Sequence, residues 1–157
     1  MGLFEWLERT AIADWVGGSL WGYPITLTAH SVGLAIVLGL VFIMNLRFLG
    51  VMKGVSVGSM RGLFAFAWFG FALNALSGFG LFALQATWLV THTPFLYKVA
   101  GIVVGVVLMV LVQREFKQAG DSWDSLTDAS SKLKVYAIIS FIAWSVGMIG
   151  GRLIAYL

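Results

Sequence analysis

Four apolar runs, each long enough to cross a bilayer, constrain this chain more than any other feature of its sequence. An α-helix rises about 1.5 Å per residue, so about 20 apolar residues span the roughly 30 Å hydrocarbon core of a membrane. The runs predict transmembrane helices over 24–47, 63–90, 95–113 and 135–157. Only 11% of the residues are charged and 60% are apolar, which is outside the range of soluble domains. We therefore expect an all-α, polytopic membrane protein, a four-transmembrane-helix bundle that forms one domain over 1–157.

The residues before the first run, 3–20, predict a helix of a different kind. Apolar residues recur there at helical spacing, and the acidic residues lie mostly off the resulting stripe. Trp6, Trp15, Trp21 and Tyr23 carry amphipathic rings of the kind that concentrate at the headgroup level of a membrane. We expect an interfacial amphipathic helix on the bilayer surface. The early acidic residues also argue against a cleaved signal peptide.

The positive charges predict an orientation. Seven of the ten Lys and Arg residues lie at the ends of the first and third predicted helices or in the segments that follow them, including the hydrophilic loop 114–134. Short cytoplasmic loops of membrane proteins are enriched in Lys and Arg, so we expect this side to be cytoplasmic. Both termini would then face the periplasm of a bacterial inner membrane. The cations form no single basic face, which argues against a nucleic-acid partner.

This topology brings four side chains to the periplasmic half of the bundle. His30 lies early in the first helix, His92 in the turn before the third, Lys98 one turn into the third, and Arg152 near the end of the fourth. An ionised side chain in hydrocarbon costs on the order of 2.5–3.5 kcal/mol, and a bound anion would offset that cost. The four residues are therefore candidates for a binding site.

Each of the four also has an ordinary structural explanation. The cations can reach the headgroups through their long stems, and a loop histidine can be solvated. His30 would be satisfied by an interhelical hydrogen bond to Gln85 or Trp88. These two residues belong to a polar and small stripe of the second helix that should face the bundle: Asn74, Ser77, Gly78, Leu81, Gln85 and Trp88.

Small residues recur along the last two predicted helices. One ridge consists of Lys98, Gly101 and Gly105, and another of Trp144, Gly147 and Gly151. Such ridges allow helix backbones to approach closely, which is their ordinary explanation. A flat cofactor would also need glycine beside it, and this alternative stays open.

Short motifs along nearly the whole chain resemble those of an uncharacterised family of small bacterial four-helix inner-membrane proteins. The motifs are His30 with Gly33, the run NLRFLG over 45–50, SG at 77–78 with LF at 81–82, Phe95 with Lys98, and GRLIAY over 151–156. No reaction comes with this resemblance. The chain is more remotely similar to four-helix b-type cytochromes and copper-resistance membrane proteins, which place histidines on transmembrane helices. With two histidines in place of the four that di-haem cytochromes need, this similarity implies at most one haem.

One functional hypothesis is a b-type haem, with copper as the alternative metal, bound near the periplasmic surface for electron transfer. His30 would be the first ligand and His92 the second, while Lys98 and Arg152 would pair with the haem propionates. Thr26, one turn before His30, would accept the other ring N–H. Because the chain has no cysteine, thiolate-bound metals, iron–sulfur clusters and disulfides are excluded.

The competing hypothesis is a non-enzymatic membrane subunit or scaffold. Such a protein would assemble with copies of itself or with a larger membrane complex through its glycine-rich helix faces, and would bind lipid or a partner protein. The predicted spans contain no Asp or Glu, which argues against proton-coupled transport and against a hydrolytic triad. Whether the chain is an enzyme is left open by its sequence.

Overall fold

Four long helices form the body of the protein, and three short helices lie at one end of them. The computed structural model describes residues 2–119 and 130–156. The helices are α1 Leu3–Leu7, α2 Ala11–Gly18, α3 Gly22–Phe48, α4 Val57–Ala83, α5 Ala86–Leu89, α6 Thr93–Ala119 and α7 Ser131–Leu153. Of these, α3, α4, α6 and α7 are long and apolar enough to cross a membrane. The predicted all-α architecture with four membrane-spanning helices is confirmed.

Local capping sets the end of α3 and the start of α4. Gly50 follows α3 in the left-handed conformation, with φ of +83°, which a residue without a Cβ adopts readily. The N–H groups of Gly50 and Val51 donate to carbonyls of the last turn of α3, the two hydrogen bonds of a Schellman cap. The hydroxyl of Ser56 then accepts a hydrogen bond from the N–H of Ser59, at 3.3 Å, and caps the start of α4.

The second membrane helix differs in its bounds from the predicted 63–90. It begins at Val57, because Ser56 caps it there, and it ends at Ala83. Gln85 interrupts the helical backbone with φ of −145° and ψ of 42°, and the short α5 follows. The residues predicted as the last turns of this helix therefore belong to a separate element.

The other predicted bounds also shift. The interfacial helix predicted over 3–20 is two helices, because the Thr10 hydroxyl accepts a hydrogen bond from the N–H of Ala13 and starts α2 anew. Residues 114–119 of the predicted loop continue α6, and residues 120–129 lie outside the described residues. Ser130 caps α7, which therefore begins before the predicted 135.

The four long helices pack as two hairpins. α3 packs along α4, α6 packs along α7, and a smaller contact between α3 and α7 joins the two pairs. Side chains also link α4 to α6: the indole Nε1 of Trp68 donates to Oε1 of Gln113 at 3.0 Å, and the rings of Phe64 and Phe116 lie 5.8 Å apart. The helices thus enclose a shared core.

Most of this core lies in the half of the bundle that holds the connection between α3 and α4, which we call the loop end. The opposite end, where α3 begins and α7 finishes, we call the terminal end. At the loop end Phe48 and Phe64 are fully buried. A cavity of about 10 Å³ lies beside Asn45, whose side-chain amide donates to the hydroxyl of Ser140 at 3.2 Å.

Candidate functional site

His30 joins α3 to α4 in the terminal half of the bundle. Its ring Nδ1 lies 2.9 Å from the backbone carbonyl oxygen of Asn74. A carbonyl oxygen only accepts, so the ring donates this hydrogen bond and carries a proton on Nδ1. In return, the side-chain amide of Asn74 donates to the backbone carbonyl of His30 at 2.8 Å. Each side chain therefore bonds the other residue's backbone, and we call this pair the His30–Asn74 clasp.

Glycines at the crossing of the two helices make room for the clasp. A Cβ added to Gly33 would lie 2.5 Å from the backbone nitrogen of Asn74. A Cβ added to Gly78 would lie 2.9 Å from Cε1 of the His30 ring. Real side chains do not tolerate such distances, so α3 and α4 approach this closely only because these positions carry no side chain.

The partners predicted for His30 are wrong. Gln85 and Trp88 are exposed, lie beyond the end of α4, and form no hydrogen bond with the ring. The Thr26 hydroxyl donates to the carbonyl of Gly22 at 2.7 Å. The acceptor of the ring N–H is the backbone carbonyl of Asn74 in place of the predicted Thr26 hydroxyl. The predicted stripe does contain the true partner, since Asn74 belongs to it and is buried.

The bond at Nδ1 leaves Nε2 as the available ring nitrogen of His30. A neutral imidazole protonated on Nδ1 presents a lone pair at Nε2. The side-chain nitrogen of Asn74 lies 3.5 Å from Nε2, which is too long for a strong hydrogen bond. Metal-binding histidines have the same arrangement, with one N–H on a carbonyl and the other nitrogen toward the metal. Nε2 of His30 therefore carries the lone pair of the ring, which can accept a hydrogen bond or bind a metal, and its contact with Asn74 is this long one.

Lys98 reaches the same region from α6. Its stem lies over Gly151 of α7, where an added Cβ would be 3.4 Å from the lysine Cδ and 3.8 Å from Nζ. Gly151 lies about three helical turns beyond Ser140, the residue through which α7 bonds Asn45 of α3, so both occupy the same face of α7. The Lys98 stem therefore lies against α7, in the half of the bundle that also holds His30.

No carboxylate neutralises Lys98 within residues 2–119 and 130–156. The ion pair in this part of the chain joins Lys132 to Glu115 at the loop end. Lys98 is partly buried, and an ammonium shielded from water is costly unless a group of opposite charge meets it. Lys98 is therefore a partly buried cation without a carboxylate partner in this part of the chain.

His92 lies outside this pair. Its ring packs on Trp88 with the ring centroids 3.9 Å apart, and its Nε2 is buried with no partner among the described residues. Asn74, the hydrogen-bond partner of His30, lies roughly 13 Å along the α4 axis from the end of that helix. His92 lies beyond this end, later in the chain. Histidine nitrogens lie about 2 Å from a bound metal. The two histidines lie on different elements, and their shared ligation of one iron stays a prediction.

Of the four predicted site residues, His30 and Lys98 are partly buried in the terminal half of the bundle, on different helices. Arg152 is exposed, and its guanidinium lies 5.8 Å from the ring centroid of Tyr156. In the described part of the chain, no three His, Cys, Asp or Glu side chains form a group that could hold a metal. A metal at this site would therefore depend on His30 as its histidine ligand.

The glycine ridges of the last two helices face each other within the chain. A Cβ on Gly101 would lie 2.6 Å from the carbonyl oxygen of Ala143, and one on Gly105 would lie 2.7 Å from the indole of Trp144. The expectation of close helix packing is confirmed. Because these ridges are buried between α6 and α7, any assembly with other subunits would use different surfaces.

The fold defines a multi-pass, all-α membrane protein. No family model, curated protein or solved structure matches the chain. The family resemblance of its motifs and the periplasmic orientation of its termini stay predictions. What the protein does must be inferred from the side chains at the terminal half of the bundle.

Proposed function

We propose that this protein is a non-enzymatic membrane subunit that binds the phosphate of a lipid headgroup through Lys98. The observation that carries this proposal is the partly buried ammonium of Lys98, which has no carboxylate partner among the described residues. Lys98 lies roughly 7 Å along the axis from the start of α6 at Thr93, which is close to headgroup level for a membrane-spanning helix. A lipid phosphodiester is anionic at all ordinary pH values and would offset the cost of burying the cation.

The surroundings of His30 favour a binding role over hydrolysis. Ser77 is the nearest hydroxyl, with its Oγ 3.5 Å from Nδ1 of the ring. That nitrogen already donates to the Asn74 carbonyl and cannot also accept the serine proton. The serine hydroxyl instead donates to the carbonyl of Leu73 at 2.6 Å. This pair therefore lacks the base that nucleophilic catalysis requires.

Native mass spectrometry of the purified protein tests this proposal. Delipidated protein is titrated with phosphatidylglycerol, phosphatidylcholine or inorganic phosphate, which separates an anionic lipid from a zwitterionic one and from a free anion. A hydrogen bond to a charged group contributes about 1.5–3 kcal/mol, so Lys98→Met should weaken phosphatidylglycerol binding about tenfold or more. Lys98→Arg should retain it. Lys53→Met removes an exposed loop-end cation and is the matched control. Equal binding by wild type and Lys98→Met would overturn the proposal.

A metal cofactor is a second candidate, favoured by the Nδ1 hydrogen bond that leaves Nε2 of His30 available. His30 would supply the histidine ligand to a b-type haem or a copper ion, and Lys98 would pair with a haem propionate. A bound haem would supply one-electron transfer. The test is the absorbance spectrum of the purified protein together with elemental analysis. His30→Ala should abolish a Soret band, whereas His92→Ala should leave it unchanged. Purified wild-type protein with neither a Soret band nor a bound metal would refute this hypothesis.

A further inference from the structure

Residues 2–21, which we call the N-terminal segment, dock on the terminal end of the bundle. Val16 of α2 is only 1% exposed. An added Cβ on Gly80 of α4 would lie 3.6 Å from a methyl group of Val16 and 3.3 Å from the methyl group of Thr26. Ala13, one turn earlier on α2, is also buried. One face of α2 is thus packed in the groove between α3 and α4.

Two further contacts fix the orientation of the segment. Oε1 of Glu8 accepts hydrogen bonds from the backbone N–H of Thr87, at 2.8 Å, and from its hydroxyl, at 2.6 Å. The rings of Phe4 and Phe82 lie perpendicular to each other with their centroids 6.2 Å apart, and Phe82 stacks on Phe95 at 5.4 Å. The segment is therefore attached to α4 and to α5, which fixes its orientation on the bundle.

The two flanks of α2 beside its buried face differ in polarity. Successive residues of a helix are about 100° apart, which places Ile12 and Trp15 on one flank of the buried face and Asp14 on the other. Ile12 is 49% exposed, Trp15 is 50% exposed, and Asp14 is exposed as well. The helix thus has a face packed on the bundle, an open apolar flank of Ile12 and Trp15, and an open flank that carries Asp14.

Exposed aromatic residues with polar tips surround the same end of the bundle. They come from four different parts of the chain and are Trp21, Tyr23, Trp88, Tyr97 and Tyr156. By contrast, Trp144 in the middle of α7 is buried. Tryptophan and tyrosine concentrate where a membrane meets water, because their rings are apolar and their N–H or O–H groups are polar. This ring of aromatic residues marks the level of such an interface.

We infer that the N-terminal segment is a lipid-binding surface whose partner is the membrane interface. The Ile12 and Trp15 flank inserts at the boundary between headgroups and acyl chains, while the Asp14 flank faces water. The segment runs directly into α3, whose span begins at Gly22, so this surface stays at the level of the bilayer. The surface is distinct from the Lys98 site and does not depend on it.

The absence of cysteine from the chain allows a direct test. Single cysteines at Ile12, Trp15, Asp14 and Val16 are labelled with a nitroxide, and the full chain is reconstituted in vesicles of phosphatidylcholine and phosphatidylglycerol. Electron paramagnetic resonance then measures collisions of each label with oxygen, which concentrates in lipid, and with a water-soluble nickel chelate. Variants are compared only where their unfolding matches that of the wild type.

Labels at Ile12 and Trp15 should favour oxygen over nickel severalfold, whereas a label at Asp14 should show the reverse. Val16, packed on the bundle, should be protected from both reagents and is the control for the buried face. Nickel collisions at Ile12 and Trp15 equal to those at Asp14 would place the segment in water and overturn the inference. Protection of both labels from both reagents would indicate a protein partner and would overturn it as well. Ile12 alone decides the outcome if Trp15→Cys does not fold.

Discussion

Replacing Gly78 by alanine should destabilise the protein through one contact, with the ring of His30. The new Cβ would lie 2.9 Å from Cε1 and 3.2 Å from Nδ1 of the ring, closer than ordinary van der Waals contact allows. The ring cannot move aside without stretching its 2.9 Å hydrogen bond to the carbonyl of Asn74. Overpacking of this kind costs about 1–3 kcal/mol, and we expect a loss of unfolding free energy in that range.

The same substitution in a His30→Ala background identifies the cause. Without the ring, the new methyl group meets no atom of residue 30, so the cost of Gly78→Ala should fall to within about 0.5 kcal/mol of zero. Reversible unfolding in mixed micelles gives the four free energies. Gly62→Ala is the matched control, because it lies on the same helix and an added Cβ there has nothing within 4 Å. Equal costs of Gly78→Ala with and without the ring would refute the reasoning.

Two further predictions concern the helix crossing and the N-terminal segment. Gly33→Ala should cost at least about 3 kcal/mol in the same unfolding assay, because its Cβ would strike the backbone of Asn74, while Gly39→Ala on the open face of α3 should be nearly neutral; similar costs would contradict this. The hydroxyl and then the N–H of Thr87 hold the pKa of the Glu8 carboxyl below its usual value of 4.5. Its stabilising contribution is therefore full above that value and is lost as the pH falls through the lowered pKa. In the wild type, hydrogen exchange of residues 2–18 should rise over this acidic range. In Glu8→Gln, exchange of the same residues should be faster at every pH and, after correction for intrinsic exchange rates, should not change with pH.

The architecture could be predicted because hydropathy and length determine which segments can cross a membrane. The bounds of the elements depend on local groups that hydropathy does not weigh. The hydroxyl of Ser56 starts α4 at Val57, before the apolar run predicted from 63. The non-helical backbone of Gln85 ends the second membrane helix before the apolar run itself ends. Both effects involve one or two residues, so an average over a membrane-length window does not detect them.

The site was predicted in part for the same reason. His30 and Lys98 were found because ionisable side chains are rare in membrane helices and so stand out. The partner of His30 was missed because it depends on how α3 and α4 are aligned, and the predicted helix placed its end too late. Asn74 could have been identified as the partner of His30, since it lies on the polar stripe of α4 and faces a glycine of α3. The sequence did not indicate the short α5, which lies between α4 and His92.

The His30–Asn74 clasp lies wholly within the first hairpin, and this has a consequence for how the protein is made. All groups that align α3 with α4 at this crossing have been synthesised before translation of α6 begins at Thr93. The first hairpin can therefore adopt its final register in the membrane while the second half of the chain is still being translated. The second hairpin has its own glycine contacts, among them Gly101 against Ala143. The last step of assembly is then the packing of the α3–α4 hairpin against the α6–α7 hairpin, chiefly where α3 contacts α7.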